Sequence, residues 1–226
     1  MIMRRISIKT VYCLIVVTLT VAAAFGQARN ITRGQYFDAI NAAFDKSDAV
    51  YPRRYTSSQQ FFSDDSEVLS ERTEEYLSAS KFRKTIKKTG EGVTDTNQIV
   101  RIDNLYFCKI GTGEWKKSRT NCEPVSMMMS PQPDSERFSV EELSENGKRI
   151  FLYRMFTTRS WRKGANTGEF FVEQIVKVSE EGLSLSWKRT ESKRTEGGTK
   201  GNEITQLSTG TYEFSVTGLD IVAPIK

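Results

Sequence analysis

The stretch Leu183-Ser184-Leu185-Ser186-Trp187-Lys188 decides the fold, together with Tyr212-Glu213-Phe214-Ser215-Val216-Thr217 further along the chain. In both stretches apolar and polar side chains alternate, and a pleated strand points successive side chains to opposite faces. Each stretch therefore predicts a half-buried strand with one apolar and one polar face. Residues 170–178 predict another strand, joined to the Leu183 strand through a tight turn at Glu180-Glu181-Gly182, where glycine supplies the positive φ.

A secretory signal is predicted at the amino terminus. Arg4, Arg5 and Lys9 precede an apolar and small-residue run over 11–25, and cleavage is expected after Gly26 or Ala28. A retained anchor helix is the alternative, although the run is short for the roughly 20 residues that a membrane span needs. The sequence around Cys13 lacks the small residues that precede a lipid-modified cysteine. We therefore expect a periplasmic or secreted protein that is not a lipoprotein, with residues 1–26 as signal and 27–226 as one domain.

The charge of the predicted mature chain gives no case for nucleic-acid binding. Removing the three basic residues of the signal lowers the formal net charge from +5 to +2. The basic clusters at 81–88 and 188–194 are diluted by neighbouring glutamates, whereas a polyphosphate calls for clustered cations on one face. Solvated strand faces explain these clusters better.

Two cysteines remain after the signal, Cys108 and Cys122. An even pair in an exported chain favours a disulfide over a reactive thiol. Closing a loop of this length is worth on the order of 3 kcal/mol in the chain-entropy model. Two reduced, buried thiols are the alternative.

One helix is predicted, from Thr32 to Ala49, because apolar residues recur there at helical spacing and Thr32 can cap the amino end. Short turns between the remaining segments favour antiparallel pairing. Asn146-Gly147 indicates a type I′ hairpin turn, and 161–168 reads as a loop. The remaining predicted strands are 55–62, 68–77, 82–88, 98–102, 105–110, a short strand opened by Trp115, 138–140 and 149–157.

The segment 123–135 carries three prolines around Met127, Met128 and Met129, so it cannot be an interior strand. Two interpretations stay open. The methionines fill gaps at the edge of the core, or they form a mobile lid over an apolar cleft.

The sequence has no histidine, which excludes Ser-His-Asp and Cys-His nucleophiles, a histidine base and ordinary zinc sites. No cofactor or metal site is predicted. The acid pairs at 64–65, 141–142 and 180–181 are available for glycosidase chemistry. Adjacent strand residues face opposite sides, however, so no pair can face one substrate as a unit. We expect a protein that is not an enzyme.

The order of an export signal, one helix, many antiparallel strands and a closing pair resembles the periplasmic lipoprotein-carrier superfamily of LolA-like and LppX-like proteins. Glu181-Gly182-Leu183-Ser184-Leu185 is similar to that family's hairpin of an acidic residue, glycine, leucine, any residue and leucine, and the terminal Ile221-Val222-Ala223-Pro224 is similar to its ending. The resemblance implies a mainly β, α+β fold in which a curved antiparallel half-barrel holds the helix in its concave face. It also implies a space for acyl chains. The family's cargo-handling arginine cannot be placed on this sequence.

A sheet with one apolar face that a single helix cannot cover should leave a cavity or a partner surface. We therefore expect an exported carrier of a hydrophobic small molecule or lipid, exchanging it with a membrane-associated donor or acceptor protein. The alternative is a structural or sensory module of the cell envelope that has the same fold and works through protein contacts. The candidate apolar lining is Phe44, Leu183, Leu185, Trp187, Tyr212, Phe214 and Val216, with Met127, Met128 and Met129 as the lid. Core packing is the alternative role for each residue.

Overall fold

A computed structural model describes residues 27–63, 66–123, 132–196 and 203–225. Within these ranges the protein is one helix and one antiparallel sheet of twelve strands. The elements are β1 Arg29–Asn30, α1 Arg33–Asp48, β2 Arg53–Phe62, β3 Glu67–Ser78, β4 Lys81–Gly90, β5 Val93–Ile102, β6 Leu105–Ile110, β7 Lys116–Ser118, β8 Ser135–Glu145, β9 Lys148–Lys163, β10 Asn166–Ser179, β11 Ser184–Thr195 and β12 Glu203–Phe214.

The sheet is open, and its strand order is β1-β8-β9-β10-β11-β12-β2-β3-β4-β5-β6-β7. Most neighbours are consecutive hairpins, as short turns require. The exceptions are the edge, where β1 pairs with β8, and the centre, where β12 lies between β11 and β2 and pairs with both. The predicted fold class, a curved and unclosed antiparallel sheet with one amino-terminal helix packed against it, is confirmed.

The helix α1 begins and ends where the sequence predicts. The backbone N–H of Gln35 donates to Thr32 Oγ1 at 3.2 Å, and the Thr32 N–H donates to Gln35 Oε1 at 2.9 Å, which completes a capping box. The buried residues Tyr36, Ile40, Ala43 and Ser47 recur at intervals of three and four. This spacing puts them on one side of the helix, facing the sheet.

Two hydrophobic cores lie on opposite faces of the sheet. In the first, α1 packs on Phe138, Met155, Val176 and Val178 of strands β8 to β10. We call the face that carries α1 the inner face. Ile99 of β5 lies in a cross-strand row that leads to inner-face residues. Val100 is the next residue, so its side chain points to the opposite face. The second core, which contains Val100, therefore lies on the outer face.

In the outer core, Ile221 from the segment after β12 packs on Val100 and Phe107 and is only 1% exposed. The helix is therefore not the only cover of the sheet, because the carboxyl-terminal segment covers part of the other face.

Two local predictions are confirmed and one is wrong. Asn146 and Gly147 both have positive φ, as a type I′ turn between β8 and β9 requires. The disulfide joins Cys108 to Cys122. The loop predicted over 161–168 is instead the continuation of β9 and β10, which pair up to Lys163 and Asn166. A run rich in glycine, asparagine and lysine is a weak strand former alone, but here it is paired on a neighbouring strand.

Several predictions concern residues outside the described ranges, namely the signal at 1–26, Asp64-Asp65 and the lid residues Met127, Met128 and Met129. In the part of the chain that the structure describes, no helix combines the length and apolar character that a membrane crossing requires.

Candidate ligand-binding face

The inner face has two parts. The helix packs mainly on β8, β9 and β11, and Phe44 extends its contacts to β12. Strands β3 to β7 continue the same face beyond the helix. Phe44 of α1 and three other predicted lining residues form a group at the helix, and a second set of side chains occupies the part beyond it.

The predicted lining residues Phe44, Trp187, Tyr212 and Phe214 come together near the carboxyl end of α1. The ring centroids of Phe44 and Tyr212 are 6.3 Å apart, and Tyr212 stacks on Phe214 at 6.0 Å with an interplanar angle of 7°. Tyr55 of β2 joins this aromatic group, 4.8 Å from Tyr212. All five side chains are half-buried. They pack the helix on the sheet while keeping part of each ring accessible.

The alternation predicted for Leu183, Leu185 and Trp187 is wrong. A β-bulge pairs Val178 with Ser184 and Lys177 with Ser186, so Leu185 is the extra residue. Ser184 therefore shares the inner face with Trp187. It is fully buried, and its N–H donates to Ser47 Oγ of α1 at 2.7 Å.

Leu183 precedes β11 and is half-buried. Val216 lies beyond the end of β12 and follows Ser215, whose φ of +58° interrupts the extended backbone. Neither residue extends the strand row of its predicted neighbours.

Trp187 lies across Gly210, its cross-strand partner on β12. A Cβ on Gly210 would lie 2.6 Å from Trp187 Cε2 and 2.9 Å from Tyr55 Oη. Trp187 Nε1 also donates to Tyr55 Oη at 3.3 Å. Glycine is therefore required here by a close approach, since any side chain would displace the indole from the sheet.

Tyr36 is the deepest aromatic residue of the helix and has no exposed surface. Its ring contacts Phe138 at 5.1 Å between centroids. Burial raises the pKa of the Tyr36 hydroxyl to about 12, against the opposing influence of Gln174 and Arg189 on the inner face. The phenol is therefore neutral at physiological pH and anchors α1 without a charge.

Beyond the helix, one cross-strand row of the inner face is made of four aromatic residues and two arginines. The residues in register from β12 to β6 are Phe214, Arg53, Tyr76, Phe82, Arg101 and Tyr106. The rings of Tyr76 and Phe82 are 5.1 Å apart, and the Arg101 guanidinium lies 6.0 Å from the Phe82 centroid and 5.4 Å from that of Tyr106. We call this set the aromatic–arginine row. Arg53 and Phe82 are buried, whereas Tyr76, Arg101 and Tyr106 are half-buried. The accessible part of the row therefore combines aromatic surface with the Arg101 cation.

Arg53 connects the aromatic–arginine row to the helix. It is 4% exposed, donates to the backbone carbonyls of Asp48 and Val50, and pairs with Asp48 Oδ1 at 3.0 Å. Its guanidinium also lies 4.0 Å from the Tyr76 ring centroid and 5.0 Å from that of Tyr51. Arg53 therefore satisfies carbonyls at the end of α1 while fixing the helix to β2 and β3.

The next inner-face rows carry a charge network. Glu74, whose side chain is 8% exposed, accepts hydrogen bonds from Arg72 and from the Tyr76 hydroxyl. Glu123 lies 2.6 Å from Arg72 NH1 and 3.2 Å from Lys84 Nζ. Burial and the adjacent Glu74 raise the pKa of Tyr76. Two cations balance two carboxylates here, so this part of the inner face is polar without a net charge.

The outer face of β3 has a matching carboxylate. Glu75 accepts hydrogen bonds from Arg54 Nε at 3.2 Å and from Arg83 Nε at 2.8 Å. Burial opposes ionisation of Glu75, but the hydrogen bonds from Arg83 and Arg54 outweigh it and lower the pKa of the carboxyl. The adjacent glutamates Glu74 and Glu75 of β3 therefore lie on opposite faces of the sheet, and each is held by two cations on its own face.

The disulfide positions the end of the charge network. Cys108 belongs to β6 and Cys122 follows β7, with their Cα atoms 6.3 Å apart. The bond holds the next residue, Glu123, within reach of Arg72 and Lys84. The covalent link thus fixes a carboxylate on the inner face.

Sequence reasoning missed the aromatic–arginine row, because each strand contributes only one residue and a pattern along a strand does not show its neighbours across the sheet. A signal was present in the hairpins. Tyr76 and Phe82 flank the turn between β3 and β4, and Arg101 and Tyr106 flank the turn between β5 and β6. Counting outward from each short turn would have paired them.

Among the described ranges, no group of three or more histidine, cysteine, aspartate or glutamate side chains could hold a metal ion. No protein-family model, curated protein or solved structure gives a significant match to the chain.

Proposed function

We propose that this protein is an exported carrier or binding protein of the cell envelope that holds an amphipathic, lipid-like ligand on the inner face of its sheet. The observation that carries the proposal is the aromatic–arginine row on the part of the inner face beyond α1. The helix leaves β3 to β6 without a helical cover, and Tyr76 and Tyr106 of the row are half-buried.

The chemistry of this surface favours a ligand with both an apolar and a polar part. Aromatic rings contribute large apolar area, and the stacked Arg101 cation adds attraction for a negative group. A bare hydrocarbon would have to lie against the charged network of Arg72, Glu74, Lys84 and Glu123. Removing these charged groups from water without new hydrogen-bond partners raises the free energy of the complex. An amphiphile can place its chain along the rings and its headgroup among the cations.

The proposal involves no catalysis. Burying apolar surface at about 25 cal/mol per Å² supplies the binding free energy. The buried carboxylates Glu74 and Glu75 lie on opposite faces, and each accepts hydrogen bonds from a cation on its own face. Such clamped carboxylates are poor proton acceptors, so a hydrolase has no support from these residues.

Lipid extraction and native mass spectrometry of purified residues 27–226 test the proposal. We expect a bound amphiphile, and displacement of a neutral apolar dye by added lipid. Tyr106→Ala removes a ring of the row and should weaken dye binding about tenfold, since a buried aromatic ring contributes a large apolar area. Phe156→Ala removes a ring of the outer face that is 36% exposed and should leave binding unchanged.

Recovery of no lipid, together with no dye binding, would overturn the carrier proposal. A second candidate would then stand, a structural or sensory envelope module acting through protein contacts. One observation favours it: Phe44, Trp187, Tyr212 and Phe214 already pack against the protein's own helix or one another. The module would expose the inner face to a protein partner and not to a lipid.

A further inference from the structure

A cavity of about 450 Å³ lies at the β6 end of the aromatic–arginine row, lined by Arg101, Asn104, Leu105, Tyr106 and Arg119. Arg101 and Tyr106 are cross-strand partners on β5 and β6, and Asn104 lies in the turn between these strands. Tyr106 also pairs with Ser118 of β7, which places Arg119 beside the same hairpin end. The sheet register therefore brings two arginines from neighbouring strands and turns to one cavity.

Neither arginine is neutralised by a carboxylate within the described ranges. Arg101 donates through Nε to the Asp103 carbonyl at 2.9 Å and through NH1 to the Ala79 carbonyl at 3.2 Å. These two bonds and its stacking on Tyr106 fix the guanidinium while leaving donors free, since arginine has five N–H groups. Arg119 is exposed and forms no ion pair with any residue that the structure describes. The cavity lining contains no acidic residue.

The donor set matches an oxyanion. A guanidinium presents planar paired N–H groups that fit the oxygens of a phosphate or carboxylate. The Asn104 amide and the Tyr106 hydroxyl add neutral donors, and Leu105 adds an apolar wall. The volume lies within the range of about 300–1,000 Å³ that small-molecule sites occupy, so it accommodates a headgroup larger than a single ion.

We infer that this cavity binds the phosphate or carboxylate of an anionic ligand, with Arg119 and Arg101 as the charged contacts. For a lipid, the apolar chain would lie along the adjoining rings of Tyr106, Phe82 and Tyr76, and this part rests on the proposed function. For a free anion, the cavity alone suffices. The same oxyanion chemistry covers both sources.

Calorimetric titration of residues 27–226 with three probes separates these sources. The probes are inorganic phosphate, monomeric dihexanoyl phosphatidic acid and monomeric dihexanoyl phosphatidylcholine. Arg119→Gln is the test variant because this side chain is exposed and its loss should leave folding intact. Lys116→Gln is the matched control, since it removes the same charge from a nearby exposed residue outside the cavity lining.

We expect phosphatidic acid to bind more tightly than phosphatidylcholine, and Arg119→Gln to raise its Kd about tenfold or more, the usual effect of losing a charged hydrogen bond. Lys116→Gln should change the Kd less than twofold, because only long-range charge is lost. Arg119→Lys should keep part of the affinity, since it retains the charge without the paired donors.

The outcomes distinguish the site from the function. One outcome is that inorganic phosphate and phosphatidic acid bind with equal affinity and that Arg119→Gln weakens the binding of both. That result supports the oxyanion site and counts against a lipid as the natural ligand. Lipid binding that Arg119→Gln leaves unchanged overturns the site while the carrier function survives. The site is also overturned if Arg119→Gln and Lys116→Gln raise the Kd by the same factor, or if no probe binds.

Discussion

Replacing Arg53 with methionine tests whether one buried guanidinium fixes the helix to the sheet. Methionine keeps much of the apolar stem but removes the charge and the hydrogen bonds to the Asp48 and Val50 carbonyls. A hydrogen bond involving a charged group contributes about 1.5–3 kcal/mol, and each cation–π contact contributes about 0.5–1 kcal/mol. The ion pair with Asp48 adds little, because that carboxylate is 58% exposed. We therefore expect Arg53→Met to lower the free energy of unfolding by about 3 kcal/mol.

The assay is urea unfolding of residues 27–226 at neutral pH without reductant, followed by far-ultraviolet circular dichroism. The midpoint should fall while the denaturant dependence stays unchanged, since the surface exposed on unfolding is the same. Arg53→Lys should cost less, because the ammonium keeps the charge but cannot bond two carbonyls in a fixed fork.

Arg149→Met is the matched control for this experiment. Arg149 also has one carboxylate partner, Glu142 at 2.7 Å, and one ring contact, Phe151 at 5.7 Å, but its side chain is 58% exposed. Arg149→Met should lower the free energy of unfolding by less than about 1 kcal/mol. If Arg53→Met and Arg149→Met cost the same within error, burial of Arg53 does not hold the helix as argued.

Two further predictions concern the sheet. Gly210→Ala should lower the free energy of unfolding by about 2 kcal/mol, because the new Cβ overlaps the Trp187 ring. Gly34→Ala in α1 is the control. It should leave the free energy of unfolding unchanged or raise it, because its Cβ meets only one atom at 4.0 Å. Glu75 has a lowered folded-state pKa, so its stabilisation is fully present above the unfolded pKa of about 4.3 and is lost as the pH falls through the folded value. Glu75→Gln should therefore be less stable than the parent at neutral pH but lose less stability between about pH 4.5 and pH 2, and parallel acid curves for the two proteins would contradict this assignment.

The elements were predictable where a local pattern determines them. Helix α1 is specified by its capping box and by the spacing of its buried residues, so the sequence located it within one residue. Strands β6 and β7 likewise follow from local alternation and turns. The bulge at Leu185 was not predictable, because it depends on how β10 pairs with β11 and not on the residues of either strand alone.

The candidate site was predictable only in part, for the same physical reason. Tyr212 and Phe214 alternate along one strand, so their shared face could be read directly from the sequence. Arg53 meets Tyr76 only across strands, and Arg101 meets Phe82 only across strands, so both cation–π contacts depend on register. The placement of Ile221 on the outer face required knowing that the chain turns at Ser215 after the sheet is complete.

The position of β12 at the centre of the sheet has a consequence for how the protein reaches its native state. Arg54 and Glu213 face each other across this seam although 159 residues separate them in the chain. Such distant pairings slow folding, because a long loop must close before the contact is rewarded. The strands on either side can form their hairpins early in folding, yet β2 and β11 keep unpaired edges until β12 pairs with both. Until β12 is in place, those two edges are where an incompletely folded chain is most open to strand pairing with another copy.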